Sequence, residues 1–276
     1  MNPLIVLRGG GDLASGVAVR LFRAGFKVVI LELDKPLAVR RGVAFSEAVY
    51  EDTKIVEGIT ARLVSPDQLQ VAQEAGEIPV LKDSNANILR NQFLTSPQYT
   101  ILVDARLLKT PAEYLDINLP LHIGLGPGFI AGDTCTAVVE TRRGHTLGRV
   151  YWEGASQPDT GKPEGDARRV LRAPADGVVV EKASIGDHLK EGQVVLEIQA
   201  ADGKSHKVMS PFGGVLRGII RPGLEVTQDM KLGDVDQRDD SAACFLVSDK
   251  ALAVGGGVLE AILTRYPIGT YDNPDI

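Results

Sequence analysis

The 276-residue sequence contains only two cysteines, Cys135 and Cys244, and they lie far apart. They fit no zinc-binding spacing and the N-terminus shows no secretory signal, so we expect reduced thiols in a cytoplasmic protein without a metal site. Aromatic residues are few, at 5%, whereas glycine is plentiful at 30 residues. This composition is typical of a loop-rich α/β and β protein rather than a helical bundle.

Basic residues do not outnumber acidic ones, because 30 Lys and Arg stand against 36 Asp and Glu and leave a net charge of −6. The chain therefore has no basic footprint for nucleic acid. No apolar run approaches the roughly 18 residues that a membrane span needs, so we expect no membrane partner. The length is that of about two domains, since a typical domain has about 100–200 residues. The sequence is also compatible with a homo-oligomer.

The most informative stretch begins with the apolar run 4–7, which stops at three glycines and is followed by a helical pattern. Gly9, Gly11 and Ala14 fit the spacing G-x-G-x-x-G/A of dinucleotide-binding loops. Glycine lets the backbone approach a phosphate, and the helix start offers N–H groups and a positive dipole end. Alternatively, the glycines only permit close strand–helix packing. The candidate binding residues of this loop are Gly9, Gly10, Gly11, Asp12, Leu13 and Ala14.

An acidic residue at the end of the next predicted strand, 27–34, adds to this motif. In dinucleotide sites an acid about 20 residues beyond the glycines holds the ribose hydroxyls, and Glu32 is the better candidate, ahead of Asp34. Asp12 inside the loop would repel a pyrophosphate unless it turns away or binds a cation. These features predict an α/β fold class, with a Rossmann-like parallel sheet domain.

Polar residues also end the apolar strand predicted over residues 100–106. Because the carboxyl ends of parallel strands line the ligand crevice, Asp104 and Arg106 are candidate binding residues. A structural ion pair or a helix cap explains them equally well.

A second glycine-rich stretch contains Gly124, Gly126 and Gly128, between an apolar run and an alternating strand pattern. Three glycines at this spacing are able to form a main-chain nest for an anion. A tight turn between two strands is the alternative interpretation.

The turn Arg142-Arg143-Gly144-His145 places two arginines and a histidine within four residues. Such a cluster is suited to gripping a phosphate, although a solvated turn also explains it. Because neighbouring residues on a strand point to opposite faces, we expect only one of Arg142 and Arg143 to face a ligand.

An internal repeat with an offset of 37 residues follows a Pro-, Gly- and Asp-rich linker at 153–168. Pro174 matches Pro211, and Gly177 matches Gly214. The half-motif resembles the biotinyl/lipoyl barrel-sandwich domain over roughly residues 168–236, and this resemblance implies a small β barrel-sandwich. Lys204 lies near the hairpin where that family carries its cofactor, but it lacks flanking methionines, so we do not expect a carrier role.

The C-terminal stretch returns to α/β character, with a predicted strand at 243–247 and a helix that Ser248 and Asp249 cap. Glycines 255–257 inside this helix allow another backbone to approach or break the helix into a loop. The predicted organisation is a Rossmann-like α/β domain at 1–152, a barrel-sandwich domain at 168–236, inserted or appended, and a C-terminal strand and helix at 237–276 that return to the α/β domain.

Several of these stretches together resemble the YqeB family of selenium-dependent molybdenum hydroxylase system proteins. The resemblance rests on residues 8–16, 124–129, 142–149 and 234–238 and on the C-terminal Gly-Gly-Gly-Val-Leu-Glu helix. The N-terminus is also loosely similar to the XdhC-type accessory proteins of xanthine dehydrogenase. The resemblance implies a maturation role around enzymes that carry molybdenum cofactor, with a molybdenum hydroxylase or its maturation proteins as partners.

From these observations we expect a cytoplasmic accessory protein that binds a phosphate-bearing small molecule, either a nucleotide or a molybdopterin-type ligand. The alternative is an NAD(P)-dependent oxidoreductase in which Glu32 holds the ribose of a dinucleotide. The sequence assigns no catalytic residue to either function.

Overall fold

The computed structural model describes residues 3–90, 99–161 and 166–267. Nine strands form one main sheet in the order β10-β9-β7-β6-β1-β2-β5-β4-β3, and β8 pairs with β11 beside it. The strands of this part are β1 (Leu4–Arg8), β2 (Lys27–Glu32), β3 (Thr53–Val56), β4 (Ile59–Leu63), β5 (Ile78–Lys82), β6 (Thr100–Asp104), β7 (Leu121–Leu125), β8 (Ile130–Ala131), β9 (Ala137–Val139), β10 (Val150–Tyr151) and β11 (Gly154–Ala155). The helices are α1 (Asp12–Arg23), α2 (Ala48–Glu51), α3 (Leu69–Glu74) and α4 (Asp249–Arg265).

The predicted fold class, a Rossmann-like parallel sheet domain with a barrel-sandwich, is wrong. The main sheet is mixed, because β3 pairs with β4, and β9 with β10, in antiparallel fashion. Within the described ranges the protein is mostly sheet, and only α1 and α4 are longer than six residues. The strand–glycine–helix unit at the N-terminus correctly indicated its own local structure. It did not determine the rest, where short helices and 3-10 turns connect the strands.

Two four-stranded antiparallel sheets, named here the paired sheets, enclose a second core over residues 170–236. Their strands are β12 (Val170–Arg172), β13 (Gly177–Glu181), β14 (His188–Leu189), β15 (Val194–Gln199), β16 (Ser205–Met209), β17 (Gly214–Ile219), β18 (Glu225–Val226) and β19 (Lys231–Asp236). The 37-residue repeat is visible in the structure, because β13, β14 and β15 begin 37 residues before β17, β18 and β19.

The two long helices, α1 and α4, pack side by side on the main sheet. Gly16 of α1 lies against Ala251 of α4, and the later residues Val17 and Arg20 of α1 lie against the later residue Gly255 of α4. The residue numbers therefore rise in the same direction along both helices, which run parallel. A Cβ atom on Gly255 would lie 3.2 Å from the carbonyl oxygen of Gly16, which explains why small residues occupy this contact. Both helix N-termini consequently open on the same side of the sheet.

The C-terminal region differs from its prediction in one element. Ala242–Phe245 is a 3-10 turn and not a strand, whereas the predicted helix and its Ser248 cap are confirmed. The segment Ala242–Arg265 is long and apolar enough to cross a membrane by length and composition alone. In the structure Val254 and Ile262 are buried in the main core, so α4 is a core helix here.

Candidate functional site

A large cleft of about 1190 Å³ lies between the main sheet and the paired sheets. Its lining includes the start of α1 at 11–14, the segment 107–109, the turn at 141–143, the segment 157–160, the segment 246–250 at the start of α4, and residues of β12, β17 and β19. Among the described lining residues, nine side chains are cationic and five are acidic. The cationic ones are Arg40, Lys109, Arg142, Arg143, Arg169, Arg217, Lys231, Arg238 and Lys250.

The first glycine loop joins β1 to α1 and meets the cleft at its last residue. Gly9 has a φ of +105°, a conformation that side chains rarely adopt, and Gly10 is enclosed by Ile30 and Ser46. A Cβ atom on Gly11 would meet nothing within 4 Å, and Gly11 has an ordinary φ of −69°. Gly9 and Gly10 therefore serve the turn itself, whereas Gly11 leaves open space on the cleft side.

The N-terminus of α1 carries no side-chain cap, because Gly11 occupies the N-cap position. The first N–H groups of a helix have no acceptor within the helix, and here those of residues 12–14 lie at the cleft wall. The helix dipole adds a partial positive charge at the same place. The arrangement offers directed donors to an anion in the cleft.

Asp12 is neutralised by a buried arginine. Arg40 is 7% exposed and donates from Nη1 to the Asp12 Oδ1 atom at 3.0 Å. Its Nη2 donates to the carbonyl oxygens of Ala243 and Leu246, which ties the loop to the segment before α4. The positive charge of Arg40 compensates the negative charge of Asp12, so Asp12 does not prevent a phosphate from binding at the loop. The Arg40 Nε atom is buried with no partner among the described residues.

Glu32 braces the glycine loop. Its Oε2 accepts from the Gly10 N–H at 2.7 Å, and its Oε1 accepts from the Leu33 N–H at 2.7 Å. Burial raises the pKa of this carboxyl group, and the two backbone hydrogen bonds act against that rise. Glu32 does not line the cleft, so the structure does not bring it to the ligand space as the ribose prediction requires.

The two predicted arginines differ in their pairing. Arg143 makes two 2.7 Å hydrogen bonds with the carboxylate of Asp249, the first residue of α4. Arg142 also lines the cleft, and its guanidinium has no ion-pair partner among the residues that the structure describes. His145 is exposed and lies outside the cleft lining. The turn thus supplies one unpaired cation to the cleft, Arg142.

The second glycine stretch packs against protein atoms and does not form an open cradle. Cβ atoms on Gly124 and Gly128 would overlap Phe129 and Leu108, and one on Gly126 would lie 2.8 Å from the Thr141 hydroxyl oxygen. None of the three glycines lines the cleft. Their observed role is the close packing of the turn, the alternative that the sequence left open.

Asp104 and Arg106 belong to a closed ion-pair network at the end of β6. Asp104 is fully buried and accepts from Arg106 at 2.8 Å, while Arg8 lies 3.5 Å from the same oxygen. Glu113 bridges both arginines. Neither Asp104 nor Arg106 lines the cleft, so the structure separates them from the glycine loop's ligand space.

Sequence reasoning missed the lysines of the cleft. Lys231 begins β19 and Lys250 follows the cap of α4, and neither has an ion-pair partner in the described parts of the chain. Isolated lysines between strand or helix residues carry no motif, so only the spatial arrangement identifies them.

The two thiols are not placed for chemistry. Cys135 is 9% exposed, and burial raises its pKa to about 11. Cys244 is 1% exposed, and burial raises its pKa as well. The Cys135 Sγ also donates to the Ala137 carbonyl oxygen at 3.3 Å, so neither thiol is open to solvent in the folded protein.

Comparisons with known structures give only remote likenesses. The apo Ectoine utilization protein EutE (DoeB) from Ruegeria pomeroyi is 11% identical with a TM-score of 0.28, and covers 85% of this chain and 86% of its own. A succinylglutamatedesuccinylase/aspartoacylase from Rhodobacter sphaeroides is 12% identical with a TM-score of 0.28, and covers 85% of each chain. Values this low support no conclusion about function.

A sequence relative is much more similar. The chain is 43% identical over 267 residues, 95% of its length, to the Uncharacterized protein YqeB of Escherichia coli (strain K12). It spans about half of that relative, 48% of its length. No family model matches the chain. Over nearly its whole length the chain is thus similar to YqeB, in line with the sequence resemblance.

Proposed function

We propose that the cleft binds a phosphate-bearing small molecule, a nucleotide or a molybdopterin-type ligand. The observation that carries the proposal is the uncapped N-terminus of α1, which opens on the cleft beside cations that lack counter-charges. A phosphate placed there receives backbone N–H bonds from the first helical turn. Gly11 leaves room for a phosphate oxygen to come close to the chain.

Electrostatic balance supports an anionic ligand. Arg142, Lys231 and Lys250 line the cleft without ion-pair partners among the described residues. Like charges that share a partly desolvated cleft repel one another, and a bound polyanion relieves this repulsion. Arg142 is suited to a phosphate because its planar guanidinium makes two parallel bonds.

The proposed biological role is the maturation of a selenium-dependent molybdenum hydroxylase in the cytoplasm, with the hydroxylase or its maturation proteins as partners. Support for this role comes only from the YqeB resemblance, and the chain matches only half of its relative. If the ligand is molybdenum cofactor, the start of α1 and the cleft cations fit the phosphate group of that cofactor. No cluster of three His, Cys, Asp or Glu side chains that suits a metal occurs among the described residues. No observation favours the oxidoreductase alternative, because the Glu32 oxygens already accept backbone bonds.

The test is a calorimetric titration of the protein with inorganic pyrophosphate, AMP and molybdenum cofactor, each added separately. We expect saturable binding of at least one of them, weakened about tenfold or more by Arg142→Gln, the loss of a charge-assisted bond. Arg149→Gln is the matched control, since Arg149 is an exposed arginine of the same turn region that lies outside the cleft lining. The absence of binding by all three probes would refute the proposal.

A further inference from the structure

One charged cluster of the cleft comes from the paired sheets and has no part in the glycine loop. Lys231, the first residue of β19, lines the cleft and has no ion pair among the described residues. The residue is exposed on the cleft side, and the nearby protein lowers the pKa of its ammonium group by desolvation. The Asp234 and Asp12 carboxylates act against this lowering. Asp12 begins α1, so Lys231 and the glycine loop share one space.

Behind Lys231 lies a buried carboxylate that holds two arginines. Asp234 is 1% exposed, and its Oδ2 accepts from Arg169 Nη2 at 2.7 Å and from Arg217 Nε at 2.9 Å. Its Oδ1 is buried without a partner in the described ranges. Both arginines and Lys231 line the cleft, and Arg217 also lies 3.7 Å from the Asp236 carboxylate.

Two irregularities of the sheet bring these side chains together. Leu171 of β12 pairs with Gly233 of β19, but the next residue, Arg172, pairs with Lys231. Leu232 therefore has no partner on β12 and forms a β-bulge. Lys231 and Asp234, three positions apart, therefore face the same side of the sheet, which a regular strand would not allow. On β17 the extra residue is Arg217 itself. The bulge at Leu232 recurs at Val195 of β15, whereas β13 pairs regularly with β15, so only the bulge at Arg217 is peculiar to the second half.

The internal repeat provides a comparison within the same chain. At the offset of 37, Arg217 and Lys231 correspond to Val180 and Val194 of the first half. Those two valines occupy β13 and β15, the matching strands. Because the first half forms the same strands with valine at these positions, the fold itself does not require the cations. Their presence only on the half that faces the cleft indicates a role in binding.

We infer that Lys231, beside the Asp234 cluster, is a second anion-binding residue of the cleft, and that the ligand carries two linked phosphates. This inference rests on the proposed function. The α1 N-terminus receives one phosphate, and Lys231 receives the next one from the opposite wall. A pyrophosphate unit, free or within a nucleoside diphosphate, is the ligand chemistry that fits. Arg169 and Arg217 are positioning residues, because both are already bound to Asp234.

The experiment titrates inorganic pyrophosphate and inorganic phosphate into the parent protein, Lys231→Gln and Lys207→Gln. Lys207 is an exposed lysine of β16 outside the cleft lining, and serves as the control. The parent and the control are expected to bind pyrophosphate more tightly than phosphate. Lys231→Gln should lose about tenfold in pyrophosphate affinity, the size of one charge-assisted bond, with little change for phosphate.

A second measurement uses only the parent protein, so it does not depend on whether a variant folds. Acetylation of lysines in the parent protein, followed by mass spectrometry, should show Lys231 protected by pyrophosphate and Lys207 unaffected. If the parent prefers pyrophosphate but Lys231→Gln keeps that preference, or if pyrophosphate does not protect Lys231, the role of Lys231 is refuted and the proposed phosphate site at α1 is not. If the parent binds neither anion, both the role of Lys231 and the phosphate site are refuted.

Discussion

Two neighbouring glycines of α4 allow a direct test of how this helix is packed. A Cβ atom on Gly256 would meet nothing within 4 Å. A Cβ atom on Gly257 would overlap the carbonyl oxygen of Gly148 and lie 2.9 Å from Val139 Cγ1. Both positions are interior to the same helix, so they share the same helix propensity.

The expected magnitudes follow from these contacts. Alanine is about 1 kcal/mol more favourable than glycine inside a helix, so Gly256→Ala should raise the free energy of unfolding by about that amount. At Gly257 the same gain is offset by overpacking against backbone, typically about 1–3 kcal/mol. We therefore expect Gly257→Ala to be up to about 2 kcal/mol less stable than the parent, and the two variants to differ by about 1–3 kcal/mol.

Urea unfolding followed by circular dichroism measures both variants, provided that the slope with denaturant stays constant. An equal stabilisation by Gly256→Ala and Gly257→Ala would refute the packing of α4 against the turn at Gly148. The result also bears on the cleft, because the position of α4 places Ser248 and Lys250 at its wall.

Two further predictions concern buried titratable groups. Cys135 and Cys244 should both react with a thiol reagent only when the protein is unfolded, and fast labelling of either one in native buffer would contradict their observed burial. Burial lowers the pKa of His122 from 6.5 to about 4, with the Asp104 charge acting in the opposite direction. The unfolded chain therefore takes up this proton first, and as pH falls from 6.5 to 4 the folded state should lose about 1.4 kcal/mol per pH unit from this group. A parent and a His122→Asn variant with parallel pH profiles of stability would disprove this.

The sequence predicted local structure well where a single segment determines it. The strand before Gly9 and the helix after Gly11 both depend on neighbouring residues, and both are present in the structure. The 3-10 turn at Ala242–Phe245 was predicted as a strand because a short apolar run fits both structures. The fold class failed for a related reason: edge-strand pairing is a long-range property that no local motif contains.

The site was predicted only where residues lie close in the sequence. Gly11 and Arg142 belong to compact motifs, and both line the cleft. Glu32 was predicted to hold a ribose because of its position at the end of β2, but it accepts a hydrogen bond from the Gly10 backbone N–H instead. Lys231 could not be predicted, because its place in the cleft depends on a bulge that Leu232 makes against β12.

A comparison of Gly11→Val with the parent tests the central claim, that the start of α1 binds phosphate in the cleft. The substitution adds a side chain where no atom lies within 4 Å and where φ is −69°, so the protein should stay folded, with a loss of about 1 kcal/mol because valine is a poorer N-cap than glycine. Calorimetric titration with pyrophosphate should show binding to the parent and at least tenfold weaker binding to Gly11→Val, because the new methyl groups occupy the phosphate's approach to the backbone. Equal pyrophosphate affinity in the two proteins would contradict the account.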